Sequence, residues 1–313
     1  MKHRRYFVFS LVCLLCLLSA TASAANIKLQ WGVGQGGAFL DLYKYIADLF
    51  EERNPNVEVE IVQAGYDQLR EKVVVAHVGG APIDIFEAHS MYLAELAEGG
   101  IIADLGPYIS RDSDVDLSQH IPVCIMGNNW KGKQVGLTLS AFMDVMYLNR
   151  THYDEAGVRQ PTGEWTWDDF AAACRKLSRD TTGDGVFDRV AVDFNFHWGR
   201  TMPFVFQAGG PLFDDTYSHA IIDSEPAIEA FAFLQDLQLS GCFGGGFMQG
   251  RTSMYITGPW DLPNAIQSGI DFDVALMPKY RFHGTRASNL PIHMSSITSH
   301  PEEAWALIKF MIS

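Results

Sequence analysis

Long apolar runs are scarce in this 313-residue chain. The longest, "YFVFSLVCLLCLL", stands at the start and is 13 residues long, whereas a helix needs roughly 20 apolar residues to cross a bilayer. It follows the basic stretch "MKHRR" and precedes the small residues Ala22–Ala24, so residues 1–24 read as a cleaved secretory signal. A lipid anchor wants a small residue before its cysteine, and Leu15 stands before Cys16. With no later run long enough to span, the mature chain is expected to be exported, periplasmic and monomeric.

Cysteine is scarce too. Cys13 and Cys16 leave with the signal, and Cys124, Cys174 and Cys242 are widely spaced and odd in number. That pattern implies neither a disulfide framework nor a zinc site. Cys174 falls on the apolar face of an expected helix, where a buried thiol is the simple reading. Basic residues are few: removing Lys2, Arg4 and Arg5 leaves 20 against 37 acidic residues. Such a chain is a poor partner for nucleic acid. GxSxG, HExxH and P-loop motifs are missing, and no cofactor is expected. "GVGQGG" (32–37) sits between a strand and a helix but lacks the acidic partner of a dinucleotide site, so it reads as a turn or a place for backbone amides to meet a ligand. "DTTGDGVFD" (180–188) matches a calcium loop at Asp180, Asp184, Gly185 and Asp188, but Thr182 and Ala191 replace the other acidic ligands. An acidic glycine turn is expected there.

What is present is alternation. "IKLQW" reads as a strand, 38–53 as a helix stopped by Asn54-Pro55, "VEVEI" as a strand, 68–78 as a helix ended by Gly79-Gly80, "IDIF" as a strand, and 91–98 as a helix. A polar middle and a hairpin at Lys131-Gly132 interrupt this series, and "FMDVMYLN" (142–149) is the next strand. A second series follows. Thr166 and Asp169 form an expected capping box, "VAVDF" a strand, Ser224 the cap of a helix, "DFDVALMP" a strand, and "SHPEEAWALIKFMI" a final helix. Two βα series predict an α/β fold in two lobes with mainly parallel sheets.

In "SMYITGPWDLPNAI" (253–266), Met254 and Ile256 alternate with Ser253, Tyr255 and Thr257, the pattern of a half-buried strand. Gly258 and Pro259 end it, and Asp261 is placed to cap a helix. Trp260 is thereby left at the carboxyl end of a strand, where ligands of open α/β sheets bind. Trp165 and Trp167 flank a helix start and read as packing.

Several stretches together resemble family 1 of the bacterial extracellular solute-binding proteins, the receptors of sugar-type ABC importers. They are "NPNVEVEIVQAGYDQLREKVVVAHVGGAPIDIF", "EAHSMYLAELAEGG", "MYLNRTHYDEAG", "GEWTWDDFAAACRKL", "FMQGRTSMYITGPW" and "SHPEEAWALIKFM", in the family's order over nearly all of residues 27–313. The resemblance implies a type II periplasmic binding fold, hinged, with a ligand cleft between lobes and no covalent chemistry. It divides the chain into 25–140 plus 291–313 and 141–290, with hinges near 140–142 and 290–292. It implies a carbohydrate ligand, with permease subunits as partners and no nucleic acid. It assigns Trp260 to stacking on a sugar ring and Glu87, His89 and Ser90 to polar contacts. Tyr66, Trp198 and Arg200 complete the set, with His197 the weakest member. Phe142 stands where maltose-type receptors carry a carboxylate, which points away from maltose.

The connection "SGCFGGG" is shorter than usual in the family, and its members continue beyond the last helix. The expectation is a second lobe short of its C-terminal helices, with apolar surface left bare. Two other readings stay open. One is a receptor for a polyol phosphate or polyamine. The other is a secreted glycoside hydrolase using Glu87 and Asp261, which needs its two carboxylates about 5–9.5 Å apart.

Overall fold

A computed structural model describes residues 27–214 and 218–312. The signal segment lies outside the described residues. The chain forms two compact units, one ending at Ala141 and resuming at Asn289, the other running from Phe142 to Ser288.

In the first unit, β1 (Ile27–Val33), α1 (Ala38–Arg53), β2 (Val57–Gln63), α2 (Tyr66–Val78), β3 (Ile85–Glu87) and α3 (Leu93–Glu98) follow the expected alternation. Then come α4 (Gly106–Arg111), α5 (Pro122–Met126), the hairpin β4 (Asn129–Trp130) and β5 (Lys133–Gln134), and β6 (Leu137–Met143). The sheet order is β2-β1-β3, then the returning strand Ala287–Met294, then β6. β1 runs parallel to both β2 and β3, and the returning strand is antiparallel to β3. The alternation in "VEVEI" works as read: Val57 is buried, Glu58 and Glu60 face out, and Glu60 pairs with Lys28 at 3.2 Å. Helix α2 starts at Tyr66, two residues earlier than expected, because extended Gly65 already turns the chain into it.

The core of this unit packs Leu29, Trp31, Tyr43 and Phe50 against Trp305, Leu307 and Ile308. The last three belong to the C-terminal helix Pro301–Ile312, which docks on this unit as its apolar stripe predicts. The Trp305 indole N–H donates to Asp112 at 2.8 Å, so a fully buried ring also satisfies its polar edge.

The second unit holds β7 (Val145–Asn149), α6 (Arg150–Ala156), α7 (Trp167–Leu177), β8 (Val190–Asp193), α8 (Trp198–Ala208), α9 (Glu225–Leu239), β9 (Phe243–Gly244), β10 (Thr252–Thr257), α10 (Leu262–Ser268) and β11 (Phe272–Ala275). Its sheet order is β11-β7-β10-β8-β9. β10 is parallel to β8 and antiparallel to β7, so the sheet is mixed and not mainly parallel. The capping box of Thr166 and Asp169 is formed, and Trp165 and Trp167 are buried beside Phe170 in one core with Phe204 and Leu234.

Three local expectations are corrected. The stretch 142–149 is not one strand: Asp144 separates β6 from β7, because its backbone N–H turns to the Arg286 carbonyl and its carboxylate to the Arg286 guanidinium. β10 is not half-buried: Thr252, Ser253 and Thr257 are buried along with Met254 and Ile256, since the strand lies inside the sheet with both faces covered. Ser224 precedes α9, but its side chain makes no cap hydrogen bond. On the second unit the exposed Phe196, Ile228 and Leu239 and the half-buried Phe231 border an open groove of about 570 Å³ along α9.

Candidate functional site

The turn after β10 holds Trp260 by a close approach. A Cβ on residue 258 would fall 2.1 Å from the Trp260 ring, so only glycine lets the indole fold back over the backbone. Asp261 does not cap the following helix as expected. The single turn Pro259–Asp261 runs straight into α10, so its carboxylate is free to fold back and accept from Tyr255 Oη at 2.8 Å and Thr257 Oγ1 at 2.6 Å. The residue after Trp260 is thereby tied back to the strand. Phe142 meets it edge-on at 5.2 Å, lengthening the half-buried aromatic wall.

One side chain missed at the level of sequence organises this wall. The Arg286 guanidinium lies over both the Trp198 ring, at 5.2 Å, and the Trp260 ring, at 5.5 Å. It is fixed by two parallel bonds to Asp144, Nε to Oδ2 at 2.9 Å and Nη2 to Oδ1 at 2.8 Å. Asp144 is 3 % exposed, and the Thr285 hydroxyl donates to its carbonyl. A planar fork of this kind, set on a buried carboxylate, orients a cation far better than a lone charge on a flexible stem. Gly199 helps again by lacking a side chain, since a Cβ there would approach the guanidinium to 3.2 Å.

Trp198 is the first residue of α8 and is 47 % exposed, so its ring is presented to solvent rather than packed away. His197 caps that helix, its Nδ1 accepting from Gly199 N–H at 3.2 Å, which is a structural use of that residue. Arg200, also on α8, donates to Tyr255 Oη at 3.0 Å and covers the Tyr255 ring at 4.9 Å. Arg200, Tyr255, Asp261 and Thr257 thus form one hydrogen-bonded row. Burial pushes the Tyr255 phenol up to about 12, and the Asp261 carboxylate adds to the shift.

In the first unit, Tyr66 repeats the device. A Cβ on residue 34 would lie 2.1 Å from its ring, so Gly34 makes room for it. The Tyr66 ring also lies 4.1 Å from the His89 ring. His89 is half-buried and leads into the turn Ser90–Tyr92, where Ser90 is exposed. Glu87 departs from the expected role. It ends β3 and is 1 % exposed, so it lies beneath the surface and supports the residues above it. Its carboxylate accepts from Gly34 N–H at 2.9 Å and from Tyr66 Oη at 3.5 Å, and the Tyr43 hydroxyl reaches it as well. Burial raises its pKa, against the lowering effect of these donors, and burial together with Glu87 raises both tyrosines. The "GVGQGG" glycine that matters is therefore Gly34, and its amide serves a carboxylate of this chain.

At 180–188, the Asp180 oxygens accept from the backbone N–H groups of Gly183 and Gly185, and Asp188 accepts from Thr181. The carboxylates tie the turn together, as an acidic glycine turn requires. No group of three or more metal-ligating side chains is found among the described residues.

The sequence matches the profile of the bacterial extracellular solute-binding proteins over residues 36–313. A binding protein of Brucella abortus is 23% identical over 319 residues, spanning 94% of this chain and 74% of the relative. A maltotriose-binding protein of Pyrococcus abyssi is 23% identical, covering 87% of this chain and 59% of its own length. Among solved structures, the ABC substrate-binding protein Lmo0181 from Listeria monocytogenes, in complex with cycloalternan, superposes with a TM-score of 0.83 at 24% identity. That match covers 92% of this chain and 76% of the other.

Proposed function

Because the chain belongs to the bacterial extracellular solute-binding protein family, we propose that it is the extracytoplasmic receptor of an ABC importer for a mono- or oligosaccharide, which it binds without covalent chemistry. The observation that carries this reading is the wall of Phe142, Trp260 and Trp198 with Arg286 across both indoles. A pyranose offers an apolar C–H face and a rim of hydroxyls. Flat rings cover the first with few rotors to freeze, and fixed donors and acceptors satisfy the second.

The charges on this wall support a neutral ligand over a phosphorylated one. Arg286 is matched by Asp144, and Arg200 reaches Asp261 through Tyr255. Two cations answered by two carboxylates leave little field to attract a phosphate. In the first unit, Tyr66, His89 and Ser90 are proposed as further contacts, with Glu87 holding Tyr66 in place.

The test is a thermal-shift and calorimetry screen of mono- and oligosaccharides, with glycerol 3-phosphate and a polyamine in the same panel. A sugar is expected to raise the melting temperature without being consumed. Trp260→Ala should then weaken its binding by about 1–3 kcal/mol, the order for a central aromatic anchor. Unchanged affinity in a folded variant removes Trp260 from the site. A response to the phosphate alone overturns the sugar reading, and product formation overturns the receptor reading.

A further inference from the structure

Arg286 ends a connection, residues 276–286, that leads from β11 to the returning strand. The first part of this connection is fastened to the outside of the second unit. Glu164 pairs with Lys279 and with His283, the latter at 2.9 Å. Glu229 accepts from the Tyr280 hydroxyl at 2.6 Å and meets the Arg281 guanidinium at 2.7 Å. Trp167 stacks on Tyr280 at 4.5 Å and on Phe233 at 4.3 Å.

The last residues of the connection meet a different anchor. Gln207, in the last turn of α8, is 0 % exposed, and both ends of its side-chain amide are used. Oε1 accepts from the Trp167 indole N–H at 2.6 Å, and Nε2 donates to the Gly284 carbonyl at 2.6 Å. The Gln207 carbonyl accepts from the Phe282 N–H at 3.0 Å. A Cβ on residue 284 would stand 3.2 Å from the Gln207 backbone nitrogen and 3.3 Å from the Phe206 Cβ, so glycine lets the connection lie against the helix. Two residues on, the Arg286 guanidinium lies against Gly199. Phe206 and Gly199 are two turns apart on one face of α8, about 10 Å along its axis. Two extended residues reach only about 7 Å, so the Arg286 stem supplies the rest and little slack remains.

We propose that Gln207 is the positioning residue of the aromatic wall, pinning the connection to α8 so that Arg286 spans Trp198 and Trp260. It acts through Arg286 and touches no ligand. Among the described residues, the Gly284 bond is the last hydrogen bond from the connection to α8 before Arg286. Asp144 aims the guanidinium, and Gln207 sets where its backbone starts. The consequence for binding rests on the reading of this wall as the ligand site, whereas the consequence for Arg286 does not. Gln207→Met keeps roughly the length of the side chain and removes both amide bonds. The Trp167 N–H and the Gly284 carbonyl are then unpaired, and the connection moves to satisfy its carbonyl elsewhere.

The test follows Arg286 itself, in proton–nitrogen spectra of the full chain labelled at arginine. The Arg286 Nε–H is bonded to Asp144 and shielded by two indole rings, so its signal is expected apart from those of exposed arginines and slow to exchange. Its loss in Arg286→Lys assigns it. In Gln207→Met the signal should move towards the exposed arginines and exchange faster. Leu237→Ala, a cavity elsewhere in the same core, should lower the melting temperature and leave the signal in place. An unmoved signal in folded Gln207→Met, or an equal displacement in Leu237→Ala, overturns the proposal. Gly284→Ala pushes the connection off the helix from the other side and should move the signal the same way. It decides the matter if Gln207→Met does not fold, and an unmoved signal there overturns the proposal. With a saccharide returned by the screen, Gln207→Met should weaken binding about three- to tenfold, and Leu237→Ala should not. Unchanged affinity beside a displaced Arg286 overturns the role in binding. A screen that returns no saccharide counts against the receptor reading and leaves the spectra to decide on Gln207.

Discussion

Trp260 owes its position to a neighbour with no side chain. Gly258→Ala places a methyl inside the volume of the indole, so the ring must leave the wall. The expected outcome is a folded protein that loses at least about tenfold in ligand affinity, a cost of about 1.4 kcal/mol, checked by calorimetry beside circular dichroism. Arg286 is held by Asp144 in the same sense. Asp144→Asn removes a buried carboxylate and leaves the guanidinium without its fork. A destabilisation of about 2–4 kcal/mol is expected in urea melts, because a half-broken buried pair costs more than an absent one. Arg286→Lys keeps the charge but not the plane, so it should weaken ligand binding more than stability. Equal losses in both would make Arg286 a packing residue only.

At the scale of elements, the returning strand Ala287–Met294 carries a pH dependence into the first unit. His293 is 1 % exposed, its Nδ1–H donating to the Val135 carbonyl at 2.7 Å, with the Phe86 ring on one side. Burial lowers its pKa to about 4, from 6.5. The unfolded chain therefore binds a proton that the folded chain refuses. Stability from this group is fully present above about 6.5 and is lost as pH falls towards 4, by about 3 kcal/mol in all. His293→Asn keeps a donor for Val135 and does not titrate. Melting temperatures taken between pH 7 and 4.5 should fall less steeply in this variant, and parallel curves would remove His293 as the cause.

At the scale of the molecule, the chain passes between its two units twice, leaving the first after Ala141 and re-entering it at Asn289. These crossings are the proposed hinges. Ligand that favours a closed state shifts the population by its differential affinity. Small-angle scattering should therefore show a smaller radius of gyration with saturating sugar. An unchanged radius in a sample shown to bind would set the hinge aside.

The sequence by itself determined what neighbours along the chain dictate. The βα alternation, the Thr166–Asp169 capping box, the Gly-Pro-Trp turn and the apolar stripe of the last helix were legible because their partners lie within a few residues. Trp260 was legible as a candidate through its place at the end of a strand, and Trp198 through the family resemblance of its segment. The tertiary structure alone decided what joins them. Arg286 meets Asp144 across 142 positions, and both tryptophans, only because strand and loop order brings these segments side by side. The same holds for Glu87, whose carboxylate meets the Gly34 amide and the Tyr66 hydroxyl only in the fold. Periodicity reports which way a side chain points along its own element. It carries no information about which distant side chain waits there, since that depends on sheet register and crossover order.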